Sequence, residues 1–197
     1  MKLVLATKNK DKIREMKDIL RAMPVKVLSM LDLGRVPDVK EDKRTFRDNA
    51  VKKAVAFSKR FSLTSVADDS GLHVDFLKGA PGVRSARFAG QNATKEMLCN
   101  KVLKLLKDVP SPKRTARFVC NVALALPEGK VRVLEGIVEG RIASEMRGKN
   151  GFGYDAIFVP RGHKRTFAQM KPTMKNRLSH RAKALKKLKA VLRKTVP

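Results

Sequence analysis

Three observations predict an α/β fold with a mixed sheet. Strand-like runs alternate with amphipathic helical stretches, and a hairpin turning at Glu128-Gly-Lys130 is embedded among them. The hydrophobic fraction is 43%, which is enough for a packed core in 197 residues despite a formal charge of +27. No repeat or linker interrupts the chain, so residues 1–197 are read as a single domain.

Each element has its own signal. Lys2–Thr7 reads as a short strand, and Asp11–Met23 as a helix with Ile13, Met16, Ile19, Leu20 and Met23 on one face. Thr45-Phe-Arg-Asp48 resembles a capping box, with Asp in place of Glu, and opens a helix to Phe61. Ser65–Asp69 is predicted as a strand that ends at a Ser-Gly turn, with Leu72–Leu77 pairing nearby. Lys78-Gly-Ala-Pro-Gly82 is a turn, and Thr94–Val109 a helix. Arg117–Leu126 and Val131–Ile142 are the arms of the hairpin. A glycine-rich loop, Arg147–Tyr154, leads to a strand at Ala156–Val159. The last helix starts near Ser179 and runs towards Lys194, burying Ala184, Leu185, Leu188, Val191 and Leu192.

Charge and cysteine usage bound the function. No apolar run approaches the roughly 18–20 residues of a membrane span. The stretch Leu3–Ala6 is too short for a signal-peptide core, so the expected location is cytoplasmic. Cys99 and Cys120 lack metal-ligand spacing and read as buried thiols. With 45 Lys and Arg against 18 Asp and Glu, the chain suits polyanionic partners, and after Asp155 it has no acidic residue at all.

Against that background two adjacent aspartates, Asp68 and Asp69, need a reason. Neighbours on a strand face opposite ways, so only one would face a given site unless the strand ends there. Thr7-Lys-Asn-Lys-Asp-Lys12 joins a strand to a helix, where backbone N–H groups and the helix dipole favour phosphate. Glu41 precedes the second helix, and Lys53 lies two turns into it. Carboxylates together with lysines suit Mg²⁺ on oxygen ligands beside a polyphosphate. In Gly151-Phe-Gly-Tyr-Asp155 the missing Cβ atoms would let a flat ligand approach the backbone while Phe152 stacks on it. Lys175, Asn176 and Ser179-His180-Arg181 suit an anion or base-edge site better than a nucleophilic triad.

The motifs TKNKDK, E-x-x-x-TF-x-x-N, ADDSGL, GAPGVRSARFAG, TARFVC, GFGYDAIF and KN-x-x-SHRAKAL follow one another along nearly the whole chain. In that order and spacing the sequence resembles the inosine triphosphate pyrophosphatase, or XTP/dITP diphosphatase, family. The resemblance implies an elongated two-lobed α/β fold, a central mixed sheet flanked by helices, a deep substrate cleft and a homodimer. It implies Mg²⁺-dependent hydrolysis of ITP, dITP and XTP to the monophosphate and pyrophosphate, cleansing the nucleotide pool. Carried over by motif, Thr7, Lys8, Asn9, Lys10, Asp11, Lys12 and Lys53 would bind phosphates, and Ser70 would touch the substrate. Glu41 and Asp69 would hold Mg²⁺, with Asp69 also the base that activates water. Phe152, Gly153, Tyr154, Asp155, Lys175, His180 and Arg181 would form the purine pocket.

Three departures add positive charge or remove acidity: Lys43 where the family has glycine, Arg47, and Met170-Lys-Pro-Thr-Met174 before the KN motif. The charge of +27 suggests a secondary, weak and salt-sensitive affinity for nucleic acid. The competing reading is a basic nucleic-acid-binding protein on the same scaffold, with pyrophosphatase activity lost or secondary.

Overall fold

Apolar strands and capped helices succeed one another as β1 (Lys2–Leu5), α1 (Lys10–Leu20), β2 (Lys26–Leu28), α2 (Phe46–Phe61) and β3 (Thr64–Val74). They continue as α3 (Lys95–Leu105), β4 (Thr115–Ala125), β5 (Val131–Ile142), β6 (Phe158–Pro160), α4 (Pro172–Leu178) and α5 (His180–Thr195). The structure is a computed structural model that describes residues 1–29, 32–34, 36 and 38–195. The strands form one sheet in the order β2-β1-β3-β4-β5-β6. β1 is parallel to β2 and β3, with Leu5 opposite Val66, while β5 is antiparallel to β6, with Ile142 opposite Phe158. The sheet is mixed, as expected.

Caps explain where the helices start. The Asn9 side chain accepts from the N–H groups of Asp11 and Lys12, and Thr94 accepts from Met97. Thr45 accepts from the Asp48 N–H, but the Asp48 carboxylate takes the Thr45 hydroxyl (2.7 Å). Asp is one methylene short of the Glu or Gln that reaches back to the cap N–H in a full box.

The chain divides into two compact units, Met1–Asp69 with Cys120–Gly136 and Arg181–Pro197, and Ser70–Val119 with Ile137–His180. In the first, strand alternation sorts side chains into two apolar layers. Val66, Cys120, Val122 and Leu124 pack with Met16 and Leu20 of α1 and Ala184, Leu185, Leu188 and Leu192 of α5. Ala67, Ala123 and Ala125 pack instead with Ala50, Ala54 and Phe57 of α2. The second unit buries Leu98, Cys99 and Val102 of α3 against Val74, Phe118, Val138, Ile142, Phe158 and Phe167. Cys99 and Cys120 are free and buried, and burial pushes both thiols up to about 12.

Several boundaries differ from expectation. The predicted Ser-Gly turn after Asp69 does not exist: β3 continues through Ser70 and Gly71 to Val74. The Leu72 N–H there is satisfied by Ser85 Oγ at 2.9 Å, so an extended chain costs no orphaned donor. α1 ends at Leu20, ahead of Pro24, and α3 at Leu105, ahead of Pro110. β6 starts at Phe158, because residues 151–157 form bends and turns. β2 and α4 were not foreseen.

Candidate functional site

The two aspartates lie in unbroken strand geometry and are treated oppositely. Asp68 shares the parity of Val66 and faces α1 and α5, where it is fully buried. Arg181 Nε and Nη2 donate to its Oδ2 (3.1 and 2.9 Å), and Lys12 Nζ lies 3.2 Å from the same oxygen. Arg181 Nη1 also donates to Glu15 Oε2 (2.5 Å). Burial alone would raise the Asp68 carboxyl, but Lys12, Arg181 and Lys53 outweigh it and hold the group far below the carboxylate range.

Asp69 shares the parity of Ala67 and faces α2. Its Oδ2 accepts from Asn49 Nδ2 (2.9 Å), and Asn49 Oδ1 in turn accepts the Lys43 N–H (2.9 Å). Burial is here the largest influence. With Glu41 adding to it, burial prevails over Lys12, Lys53 and the Asn49 hydrogen bond and raises Asp69 to about 6. The Lys43 backbone holds Asn49 in place, its N–H donating to Asn49 Oδ1 and its carbonyl accepting from Asn49 Nδ2.

Lys53 connects the set. Its Nζ donates to Glu41 Oε1 (2.5 Å) and to the Asp68 carbonyl (2.6 Å). Burial works against its ammonium, but Asp68, Glu41 and Asp69 more than compensate and raise its pKa. Burial would also raise Glu41, and Lys53 and Lys12 bring it below its ordinary value instead. Three cations, Lys12, Lys53 and Arg181, therefore meet four carboxylates, Glu15, Glu41, Asp68 and Asp69. Within this set the pKa of Asp69 is raised by burial first, with Glu41 adding to it.

Thr7, Lys8, Glu41 and Lys53, together with Ala6, Asp38, Val39 and Phe57, line a cavity of about 130 Å³ in this first unit. Thr7 Oγ1 accepts the Asn9 N–H (3.3 Å), which shapes the turn into α1. Lys8 pairs with Asp38 (2.8 Å) and Asp11 with Arg14 (2.7 Å), both at the surface, and Lys10 is exposed. The predicted phosphate segment is thus a capped helix start, with Thr7 and Lys8 turned to the cavity and Lys12 committed to Asp68.

The second predicted cluster lies in the other unit. Asp155 is buried, and its Oδ2 accepts from the Phe152 N–H (2.9 Å) and Lys175 Nζ (2.5 Å). Lys175 Nζ also sits 4.6 Å from the Phe152 ring centroid, a cation–π contact that fixes both groups. Phe152 and Gly153 are half-buried. Tyr154 is buried and donates to the Ser85 carbonyl (2.8 Å), and burial raises its phenol above the ordinary value. A Cβ at Gly151 (φ 72°) would overlap the Asp155 carboxylate, so this glycine makes room for Asp155. His180 stacks on Phe118, centroids 4.6 Å apart and planes 10° from parallel.

Arg181, expected in the purine pocket, belongs to the first unit, where it pairs with Asp68 and Glu15; Lys175 and His180 belong to the second. Ser70 is the first residue of the second unit, half-buried on β3. Asn49, Glu15, Phe118 and Ser85 were missed as partners. Asn49 had a signal, as the last letter of the E-x-x-x-TF-x-x-N motif; Glu15 had none beyond its place on α1.

The Ham1 family model matches residues 3–191. The chain belongs to the Ham1 family. Relatives named dITP/XTP pyrophosphatase include one from Desulforamulus reducens, 47% identical over 192 residues, covering 98% of this chain and 96% of the relative. Another, from Bacillus licheniformis, is 45% identical over 190 residues, with 96% and 97% covered. A solved HAM1 protein from Coxiella burnetii superposes with a TM-score of 0.89 at 42% identity, covering 98% of this chain and 99% of that one. This Ham1 chain has the mixed α/β architecture of that structure, and among its described residues no helix is long and apolar enough to cross a membrane.

Proposed function

We propose that this chain hydrolyses dITP, XTP and ITP to the nucleoside monophosphate and pyrophosphate, acting as a cytoplasmic homodimer on the nucleotide pool. The relatives named dITP/XTP pyrophosphatase support the reaction. The observation that carries the site assignment is the unequal treatment of Asp68 and Asp69, one neutralised by Arg181 and Lys12, the other left with a pKa near 6.

The donor set fits Mg²⁺. Glu41 and Asp69 offer hard oxygens, and the cluster's surplus negative charge favours a cation there. Bound there, Mg²⁺ would offset phosphate charge and acidify a water. Asp69 accepts the proton of the attacking water, and a bound cation would keep its carboxyl ionised for that task. The oxygen of that water attacks phosphorus, the α–β anhydride bond breaks, and pyrophosphate leaves. Thr7, Lys8 and Lys53 hold phosphate oxygens, and Asn49 orients Asp69.

Lys175, His180 and backbone N–H groups near Phe152 would recognise the C6 carbonyl of hypoxanthine or xanthine. Adenine has an amino donor at that position, and each donor left facing it costs about 1–3 kcal/mol. Arg181 we assign to holding Asp68, and Tyr154 and Asp155 to shaping the loop that carries Phe152. The test is pyrophosphate release with Mg²⁺ from dITP and XTP against dATP and dGTP, for wild type and Asp69→Asn. Turnover selective for dITP and XTP, reduced at least about 10²-fold in the variant, is expected of a general base. A folded, Mg²⁺-supplied wild type without turnover would overturn the reading and favour the nucleic-acid-binding alternative.

A further inference from the structure

Helix α5 has two faces with different fates. Ala184, Leu185, Leu188 and Leu192 are buried in the core of the first unit. The exposed positions are Lys183, Lys186, Lys187, Ala190, Arg193 and Lys194, so every one but Ala190 is cationic. Lys187 Nζ donates to the Glu135 backbone carbonyl (2.7 Å), which fixes one of them on the surface. The helix has no acidic residue, and the sequence has none after Asp155. Like charges three and four positions apart repel along a helix, so this stripe weakens α5 unless an anion lies on it. Nothing in the proposed pyrophosphatase site uses it.

We propose that the exposed face of α5 is a docking surface for the phosphate backbone of nucleic acid. From Lys183 to Lys194 the stripe is about 17 Å long at about 1.5 Å per residue, which matches about five phosphates at about 3.4 Å of rise per nucleotide. No aromatic or amide side chain stands on the stripe to read bases, so binding is indifferent to sequence. A lipid surface suits it less well. A helix that lies in a bilayer interface buries an apolar face there, and the apolar face of α5 is already taken by the core.

Fluorescence anisotropy of a labelled 20-nucleotide single strand, titrated with the full chain between 25 and 200 mM salt without nucleotide substrate, tests this independently of the pyrophosphatase reading. The stripe variant is Lys183→Gln, Lys186→Gln, Arg193→Gln and Lys194→Gln. A control neutralises four exposed cations elsewhere: Lys59→Gln, Lys104→Gln, Lys107→Gln and Lys113→Gln. The wild type is expected to bind with a steep salt dependence. The stripe variant should bind at least about tenfold more weakly at 50 mM salt, with a slope shallower by about 2–3, since each phosphate contact contributes about 0.7. The control should stay within about threefold of wild type. Should the first variant lose its helical circular dichroism, the pair Lys186→Glu and Arg193→Glu is measured in its place. Absence of binding at 25 mM salt overturns the proposal, as does equal loss in stripe and control. Binding to phosphatidylserine vesicles in place of the oligonucleotide overturns it in favour of a membrane.

Discussion

At the scale of single residues, two neighbouring carboxylates differ by the face of the strand on which they fall. Asp68 is matched by Arg181 and Lys12, so Asp68→Asn removes the carboxylate both cations face, leaving Arg181 with Glu15 alone, and should cost about 3–5 kcal/mol in urea unfolding at pH 7. Its folded-state pKa is depressed, so the contribution is present above the unfolded value of 3.8 and fades as pH falls towards the folded one. Asp69 has the opposite sign. Its pKa rises from 3.8 to about 6, so the folded state pays to ionise it above pH 6. In chelator at pH 8, Asp69→Asn should therefore stabilise the protein by about 1–3 kcal/mol, a gain that vanishes as pH drops from 6 towards 4. The same substitution should remove turnover. The family resemblance points to Asp69; that its surroundings differ from those of Asp68 follows from strand parity, because β3 continues past both.

At the scale of elements, long amphipathic or β-branched runs were legible and short or context-made ones were not. β5 spans the residues predicted for the second arm of the hairpin, and α2 and α5 come within a residue or so of their expected spans. α4 is seven residues long with Pro172 in its first turn and has too few turns to display an apolar period. β2 has three residues and no period either. The end of β3 differs from expectation because Ser-Gly is ordinarily turn chemistry, whereas here β4 lies beside the strand and the distant Ser85 hydroxyl takes the Leu72 N–H. The loop at 151–155 was recognised for its glycines but not for what they accommodate. Gly151→Ala meets both a positive φ and the Asp155 carboxylate and should cost about 1–3 kcal/mol. If the loop recognises the base, KM for dITP should rise more than kcat falls, which steady-state kinetics will separate.

At the scale of the whole molecule, composition announced an anionic partner without saying where it binds. A net charge of +27 attracts a triphosphate from beyond contact distance. The value of kcat/KM for dITP is therefore expected to fall several-fold between 20 and 200 mM salt, while kcat changes little. Equal sensitivity in both would point to a salt effect on the chemical step. The candidate residues were legible because they stand in motifs, but their division was not. The carboxylate and lysine set falls in one unit and the Phe152–Lys175 set in the other, a partition that depends on where the chain leaves and re-enters each unit.

That discontinuity also bears on synthesis. The first unit is assembled from three separated stretches, and its last contribution begins at Arg181, whereas the second is complete at His180. A nascent chain can thus finish the later-numbered unit before the earlier one. Until α5 emerges from the ribosome, Asp68 lacks the guanidinium that neutralises it, and the apolar side chains of α1 lack the helix that covers them. A message that ends directly after codon 180 would yield a product with the second unit complete and the first open, a form that cellular proteases readily degrade.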